Sequence, residues 1–151
     1  MTATPSTKRR RSMKLTLDLP IVCEAASEVR YSSPHLLADL FREEARADRE
    51  CFWVIHLNTN HQILERDLVS VGTVRAALVH PREVFKKAIL NGANGIITMH
   101  NHPSGSLTPS AEDLEMWRRL DQAGEIIGIK VFDHLIITPS GNFYSKAQAG
   151  A

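Results

Sequence analysis

A short apolar run followed by two closely spaced histidines constrains the fold of this chain more than any other feature. The run GIITM ends at His100, and His102 follows two positions later. Side chains at i and i+2 of an extended segment point to the same face, so the two imidazoles can converge on one ion. Beyond the turn-rich segment PSGSLTP, a helix should begin near Ser110 and carry Asp113 in its first turn. The sequence therefore predicts a strand, a reversal and a helix that bring two histidines and a carboxylate together.

This set of side chains suggests a metal site. Two histidines and one carboxylate, with a fourth position left for water, form the ligand set of a catalytic zinc site rather than a structural one. We therefore predict that His100, His102 and Asp113 bind Zn2+. The competing interpretation of Ser110-x-x-Asp113 is a helix capping box, in which each residue binds the other's backbone amide. The histidine pair by itself is also compatible with two loop histidines beside a turn.

Length and composition favour one domain. With 151 residues, the chain is long enough to bury about 70% of its unfolded surface. The apolar runs are too short to span a membrane, and the basic start is not followed by the apolar segment of a secretory signal. The cysteines, Cys23 and Cys51, form neither a disulfide framework nor a thiolate metal motif. A cytoplasmic protein is therefore expected.

The net charge of +1 conceals an uneven distribution. Five of the 18 basic side chains and no acidic one fall within residues 1–14, so the remainder of the chain is net acidic. Residues 1–14 are expected to form a disordered basic tail, because they are polar and poor in apolar side chains. The tail could contact nucleic-acid phosphates, and a merely solvated tail is the alternative. Met13 also leaves open where translation begins. The acidic body argues against sequence-specific DNA recognition.

Periodic patterns along the rest of the chain predict a mixture of helices and strands. Residues 15–31 are expected to form an extended arm, with a short edge strand interrupted at Pro20. Residues 146–151 are expected to be a disordered tail. The other expected elements are a helix at 34–47, a hairpin of strands 51–57 and 62–72, a helix at 81–92, a strand at 95–100, a helix from Ser110 to Gly124, and closing strands at 126–138 and 142–145.

These elements predict an α+β fold, an α/β sandwich in which helices pack against one mixed central sheet. Trp53 and Trp117 are expected in the core, and Cys51 is expected to be a small buried hydrophobe rather than a nucleophile. Apolar residues at helical spacing should face the sheet: Leu37, Leu40, Phe41 and Ala45 in the first helix, Val84, Phe85, Ala88 and Ile89 in the second, and Leu114, Trp117 and Leu120 in the third.

The spacing of the site residues resembles that of a known superfamily. His100-x-His102, seven residues, Ser110, two residues and Asp113 match the H-x-H-x7-S-x2-D signature of the JAMM (JAB1/MPN+) metalloproteases. The strings HPREVF, HNHPSG and DHLII are similar to those of the RadC family, bacterial JAB-domain proteins historically associated with DNA repair. The resemblance covers residues 32–145 and implies a JAB/MPN domain with a cytidine-deaminase-like architecture.

The resemblance also implies an activity and two catalytic residues. It implies a zinc-dependent hydrolase whose metal-activated water cleaves a peptide or isopeptide bond in a peptide or protein substrate. Glu50, directly before an apolar strand, resembles the superfamily's general base, although Trp53 stands where the superfamily has a glycine. Ser110 resembles the serine that stabilises the oxyanion. The alternatives are a DNA-repair-associated factor and a protein-interaction module with an inactive site, which the complete ligand set disfavours.

Several other polar residues compete for roles near the site. Glu43 and Glu44 on the first helix and Glu65 in the hairpin are the other candidate bases. His80 is expected to cap a helix. His134 is expected to be a core histidine or to orient a ligand, and Asp133 is expected to orient a ligand. Asn101 completes the string HNH, but nucleases named for those letters separate the residues widely, so the string is no evidence for such an enzyme. The sequence leaves the substrate and the oligomeric state open.

Overall fold

The sheet of this protein has five strands and is covered by helices on both faces. The structure is a computed structural model that describes residues 29–72 and 79–150. The elements are α1 (Pro34–Leu40), a 3-10 helix (Glu44–Arg46), β1 (Glu50–Leu57), β2 (Ile63–Gly72), α2 (Pro81–Leu90), β3 (Gly95–Asn101), α3 (Ala111–Ile127), β4 (Lys130–Ile137) and β5 (Phe143–Ser145). The predicted α+β fold with a mixed central sheet is confirmed.

The strand order is β2-β1-β3-β4-β5. Neighbouring strands are antiparallel except for β3 and β4, which are parallel. Parallel strands need a crossover connection, and α3 supplies it. The crossover explains why the start of α3 lies near the end of β3.

The two faces of the sheet bury separate clusters of apolar side chains. Strands β1 and β3 contribute to both clusters, because successive side chains of a strand point to opposite faces. One cluster joins α2 and α3 to the sheet and includes Phe52, Val84, Phe85, Ile96, Trp117, Leu120 and Ile136. The other joins α1 to the opposite face and includes Leu37, Phe41, Trp53, Ile97, Met99 and Leu135.

The first helix is shorter than the predicted 34–47. It ends at Leu40, because Phe41 leaves helical geometry with φ −104° and ψ 24°, and Glu44–Arg46 form the separate 3-10 helix. The break turns the chain so that Phe41 and Ala45 still reach the core, whereas Leu40 is exposed. The spacing of the apolar residues predicted that Phe41 and Ala45 are buried. It did not predict the break in the helix.

The helix predicted to end at Gly124 continues to Ile127. It closes at Gly128, which adopts the left-handed conformation at φ 84° that favours glycine. The prediction of a strand from residue 126 was therefore wrong, and β4 begins at Lys130. Gly124 instead lies inside the helix, where the chain leading into β4 approaches closely.

Besides Leu40, two further residues predicted to face the core are exposed. Leu114 is 51% exposed and Ile89 57% exposed. Met116 occupies the buried side of α3 with Trp117 and Leu120. None of the described helices combines the length and apolar character needed to cross a bilayer.

Residues 146–150 form hydrogen-bonded turns rather than the predicted disordered tail. The Lys146 ammonium donates to Asp121 at 2.9 Å, and the Ala147 amide donates to Asp133 at 2.9 Å. At the other end, Arg30 bridges to Gln62 next to the hairpin. The predicted tail 1–14 and the rest of the predicted arm, with Pro20 and Cys23, lie outside the described residues.

Gly124→Ala is expected to destabilise the protein. An added Cβ would lie 2.6 Å from the backbone oxygen of Ile129 and 3.1 Å from Cγ2 of Val131. This overlap should lower the free energy of unfolding by about 1–3 kcal/mol, although alanine favours helices. Urea unfolding measures the difference, and Gln122→Ala on the exposed side of α3 should change it by less than about 0.5 kcal/mol. Unchanged stability of Gly124→Ala would refute the close approach.

Candidate metal centre

Three elements converge where β3 ends. His100 lies in β3 opposite Phe52 of β1 and Ile136 of β4. His102 follows directly after the strand, and its amide donates to the carbonyl of Ile137 at 2.9 Å. The crossover helix α3 begins beside this strand end and carries Asp113 in its first turn. The parallel pairing of β3 and β4 thus positions the carboxylate beside the imidazoles.

The donor atoms of the three residues lie close together, with a different oxygen of Asp113 nearest to each histidine. Nε2 of His100 lies 3.0 Å from Nε2 of His102. Oδ1 of Asp113 lies 3.2 Å from Nε2 of His100, and Oδ2 lies 3.4 Å from Nε2 of His102. Such a group could hold a metal ion. In the part of the chain that the structure describes, this is the one group of three or more such side chains with this property.

The site is buried on one side and open on the other. The side chains of His100 and Asp113 are almost fully buried, whereas that of His102 is 11% exposed. Burial alone would raise the pKa of Asp113, but hydrogen bonds with both histidines hold that pKa well below its usual range. Asp113 is therefore ionised at neutral pH, which is the form that binds a metal.

Electrostatics act in the opposite direction on His102. Its pKa is raised, chiefly by the hydrogen bond to Asp113 and also by the charge of Glu50, although burial opposes the shift. The Asp113 carboxylate stabilises a positive charge on this imidazole. It would stabilise a bound metal ion in the same way.

Each histidine is oriented by a different contact. Nδ1 of His102 lies 2.8 Å from the carbonyl oxygen of Ser106. A carbonyl can only accept, so Nδ1 carries a hydrogen, and in the neutral imidazole the Nε2 lone pair faces the site. His100 is held by packing instead, since its ring stacks on Phe52 with 6.1 Å between centroids and also contacts Trp117.

Asp113 is oriented by the cap of α3. The oxygen Oγ of Ser110 accepts from the Asp113 amide at 3.0 Å, and Oδ2 of Asp113 accepts from the Ser110 amide at 2.9 Å. The complete capping box is therefore present. A carboxylate has about four acceptor positions, so Asp113 can close the cap and still face the histidines. The two interpretations that compete in the sequence are compatible in the structure.

Glu50 is the first residue of β1 and lies on the face of the sheet that carries the candidate site. It is two residues before Phe52, whose partner across the sheet is His100, so Glu50 and His100 share a face. Glu50 is half-buried, and its charge reaches His102. Two competing carboxylates have other partners: Glu44 pairs with Arg66 at 2.6 Å, and Glu65 binds the Asn91 side chain.

Glu43, the third competing carboxylate, is exposed at the start of the 3-10 helix. His80 occupies the N-cap position of α2, but its side chain makes no capping hydrogen bond. Trp53 and Trp117 are buried in the core, as predicted. Cys51 is also buried, and burial raises the pKa of its thiol, so it remains a neutral thiol at physiological pH.

His134 belongs to a separate polar network. Its Nε2 lies 2.7 Å from Oδ1 of Asp121, its Nδ1 pairs with the Thr98 hydroxyl, and its ring stacks on Trp117. Burial lowers the pKa of His134. Asp133 accepts from the amides of His134 and Ala147, which ties the residues after β5 to β4. The structure therefore gives His134 and Asp133 roles within the core.

The sequence patterns predicted no structural role for Asp121 or Asn101. Asp121 joins His134 to Lys146. Asn101 is fully buried on the face of β3 opposite the histidines and binds the backbone on both sides of Glu50, at the start of β1. The available signal for Asn101 is a polar residue at the end of a strand whose alternate positions, Ile97 and Met99, are apolar.

Removing the negative charge of Asp113 should weaken metal binding without breaking the helix cap. Asn in place of Asp113 keeps an oxygen for the Ser110 amide but loses the negative charge, so metal affinity should fall by roughly 10- to 100-fold or more. Elemental analysis and metal titration measure the effect, with His100→Ala/His102→Ala as the variant that should retain no metal. In Ser110→Ala all three ligands remain, so it should keep its metal while losing about 1 kcal/mol of stability. Full metal affinity in Asp113→Asn would leave that residue only a capping role.

Metal affinity should fall as the pH is lowered towards the ordinary histidine range. A protonated imidazole cannot bind a metal, and the pKa of His102 is raised. The fall should therefore begin above pH of about 6.5, the usual pKa of histidine. Titration of the imidazole by NMR in metal-free protein gives the pKa, and calorimetry gives the affinity. Asp113→Asn removes the main cause of the shift, so an unchanged His102 pKa in that variant would contradict this assignment.

Comparison with known proteins identifies the family of this chain. The family described as "RadC-like JAB domain" matches residues 31–151. A UPF0758 protein of Moorella thermoacetica is 53% identical over 117 residues, which are 77% of this chain and 51% of the relative. Corresponding proteins of Finegoldia magna and Desulforudis audaxviator are 45% and 52% identical, covering 76% and 70% of this chain and 52% and 46% of their own. The chain spans about half the length of these curated relatives, and it belongs to the RadC-like JAB domain family.

Proposed function

We propose that this chain is a zinc-dependent hydrolase of peptide or isopeptide bonds, with His100, His102 and Asp113 as the zinc ligands. The observation that carries the proposal is the convergence of the donor atoms: the two Nε2 atoms lie 3.0 Å apart, and one oxygen of Asp113 lies 3.2 Å from His100 and the other 3.4 Å from His102. Ligands about 2.0–2.1 Å from a tetrahedral zinc ion are roughly 3.3–3.4 Å apart. The separations are therefore close to those around one zinc ion, and three protein ligands leave a fourth position for water.

The ligand types support the choice of zinc. Imidazole nitrogens suit zinc and other transition metals, whereas magnesium and calcium prefer oxygen. When bound, zinc supplies a Lewis acid and lowers the pKa of its water to about 7. Asp113 contributes the single negative charge of the ligand set, and the carbonyl of Ser106 keeps the Nε2 lone pair of His102 directed into the site.

Glu50 is the proposed general base. It is not one of the three grouped ligands, it lies on the face of His100, it is half-buried, and its charge acts on His102. A carboxylate in this position can take a proton from the attacking water and return it to the leaving amine. Both transfers use the same carboxylate, so Glu50 ends the cycle ionised.

Ser110 is the proposed oxyanion donor. Its oxygen accepts from the Asp113 amide, and this bond does not use the hydroxyl hydrogen. The hydroxyl also lies at the N-terminus of α3, where the helix dipole stabilises developing negative charge. The family supports these assignments, because the JAB superfamily includes metalloproteases, and the complete donor set favours hydrolysis over a scaffold.

Glu50→Gln should abolish hydrolysis and leave the zinc in place. Glutamine keeps the size of the side chain but cannot take the proton, so kcat should fall by roughly 10²- to 10⁴-fold. Zinc-loaded protein is assayed with quenched fluorescent peptides and with a matched series joined through a lysine isopeptide bond. Glu44→Gln is the control, since that carboxylate pairs with Arg66, and its activity should be unchanged. Full activity in Glu50→Gln would place the base elsewhere.

A further inference from the structure

We propose that Asn101 is a positioning residue that holds Glu50 beside the candidate metal site by binding the backbone on both sides of it. The inference rests on the proposed function, because it concerns the carboxylate to which that function assigns the proton transfers. It assigns a role to the residue between His100 and His102, whose side chain points away from the metal site.

The Asn101 side chain is fully buried and uses all its hydrogen-bonding groups. Its Oδ1 accepts from the amide of Cys51 at 2.7 Å. Its Nδ2 donates to the carbonyl of Arg49 at 2.8 Å and to that of Ala47 at 3.3 Å. The two shorter bonds contact the residues immediately before and after Glu50. The amide therefore fixes the backbone of Glu50 without contacting its carboxylate.

This contact replaces regular sheet pairing at the point where that pairing ends. The register between β1 and β3 runs from Leu57 opposite Gly95 to Phe52 opposite His100. Glu50 and Cys51 lie beyond the last of these pairs. A side-chain amide that both accepts and donates can continue the hydrogen bonding there, whereas a carboxylate accepts only and an aliphatic side chain does neither.

Alternation along β3 connects the contact to the metal site. His100 and Asn101 are neighbours, so their side chains lie on opposite faces of the sheet. His100 faces the metal site, and Asn101 faces the chain entering β1. One peptide unit joins the two residues, so a shift of either residue moves the other. Asn101 therefore couples the position of the Glu50 backbone to that of the ligands. A displacement of about 1 Å in a reacting group can cost on the order of 100-fold in rate.

The test compares Asn101→Ala with the unaltered protein, both loaded with zinc. Asn101→Ala should lower kcat by roughly 10- to 100-fold. Zinc content should be unchanged and KM should stay within about twofold, because neither the ligands nor the binding surface is altered. In the Glu50→Gln background the same change should cause no further loss, because Asn101 acts through Glu50. An equal loss in both backgrounds would overturn the proposal and leave Asn101 a purely structural role.

Two readouts do not depend on hydrolysis. Hydrogen exchange of the Cys51 amide should accelerate at least about tenfold in Asn101→Ala, because its acceptor is gone. The 13C resonance of the Glu50 carboxylate, assigned with Glu50→Gln, should shift when zinc is added to the unaltered protein and respond less in Asn101→Ala. Equal responses in the two proteins would overturn the proposal.

The matched control is Ile97→Ala, on the same strand and the same face. Ile97 is fully buried and its side chain forms no hydrogen bond, so its truncation destabilises the fold without releasing the backbone around Glu50. It should leave kcat, the Cys51 exchange rate and the Glu50 response to zinc near their original values. A comparable loss of kcat in Ile97→Ala would show that general destabilisation explains the effect. If the unaltered protein hydrolyses no substrate, the proposed function fails, and the Glu50 resonance still decides whether Asn101 positions it.

Discussion

The reciprocal hydrogen bonds between Ser110 and Asp113 are the interaction on which the candidate site depends. The first turn of a helix leaves backbone amides without intrahelical partners, and this pair satisfies two of them. The same bonds orient the carboxylate towards His100 and His102. The cap therefore connects the stability of α3 to the geometry of a metal site. Capping alone does not require a charged side chain at position 113. Metal binding alone does not require the hydrogen bond from the Ser110 amide.

The last two residues of β3, His100 and Asn101, place their side chains on opposite faces of the sheet. His100 faces the cluster formed with α2 and α3, where Phe52 and Trp117 hold its ring. Asn101 faces the side covered by α1, where it binds the backbone around Glu50. The parallel pairing with β4 brings the start of α3 to the same strand end. The groups proposed to take part in hydrolysis therefore lie in strands and helices or directly beside their ends, which limits the motion of ligands and base relative to one another.

Much of this arrangement can be predicted from residue patterns. The apolar run before His100 indicates a buried strand, and the serine and acid at capping spacing indicate the start of a helix. Predictions failed where a pattern fits two structures. Ile126 and Ile127 have strand-forming side chains, but they complete α3 because Gly128 is the residue that ends the helix. The pattern through Ala45 continues past the point where the first helix breaks, because a 3-10 helix returns Ala45 to the same side. Leu114 has helical spacing but lies outside the contact with the sheet.

The sequence by itself determined the chemistry at the end of β3: two histidines at strand spacing and a serine with an acid at capping spacing. These relations are local, since backbone periodicity alone decides which neighbouring side chains share a face. Only the tertiary structure decided where Glu44 and Glu65 bind and what Asn101 contacts. Glu44 and Glu65 have partners elsewhere in the fold, and the amide of Asn101 binds residues about 50 positions away along the chain. Such pairings depend on the order and register of the strands, which arise from burial of both sheet faces together and cannot be inferred from any one segment.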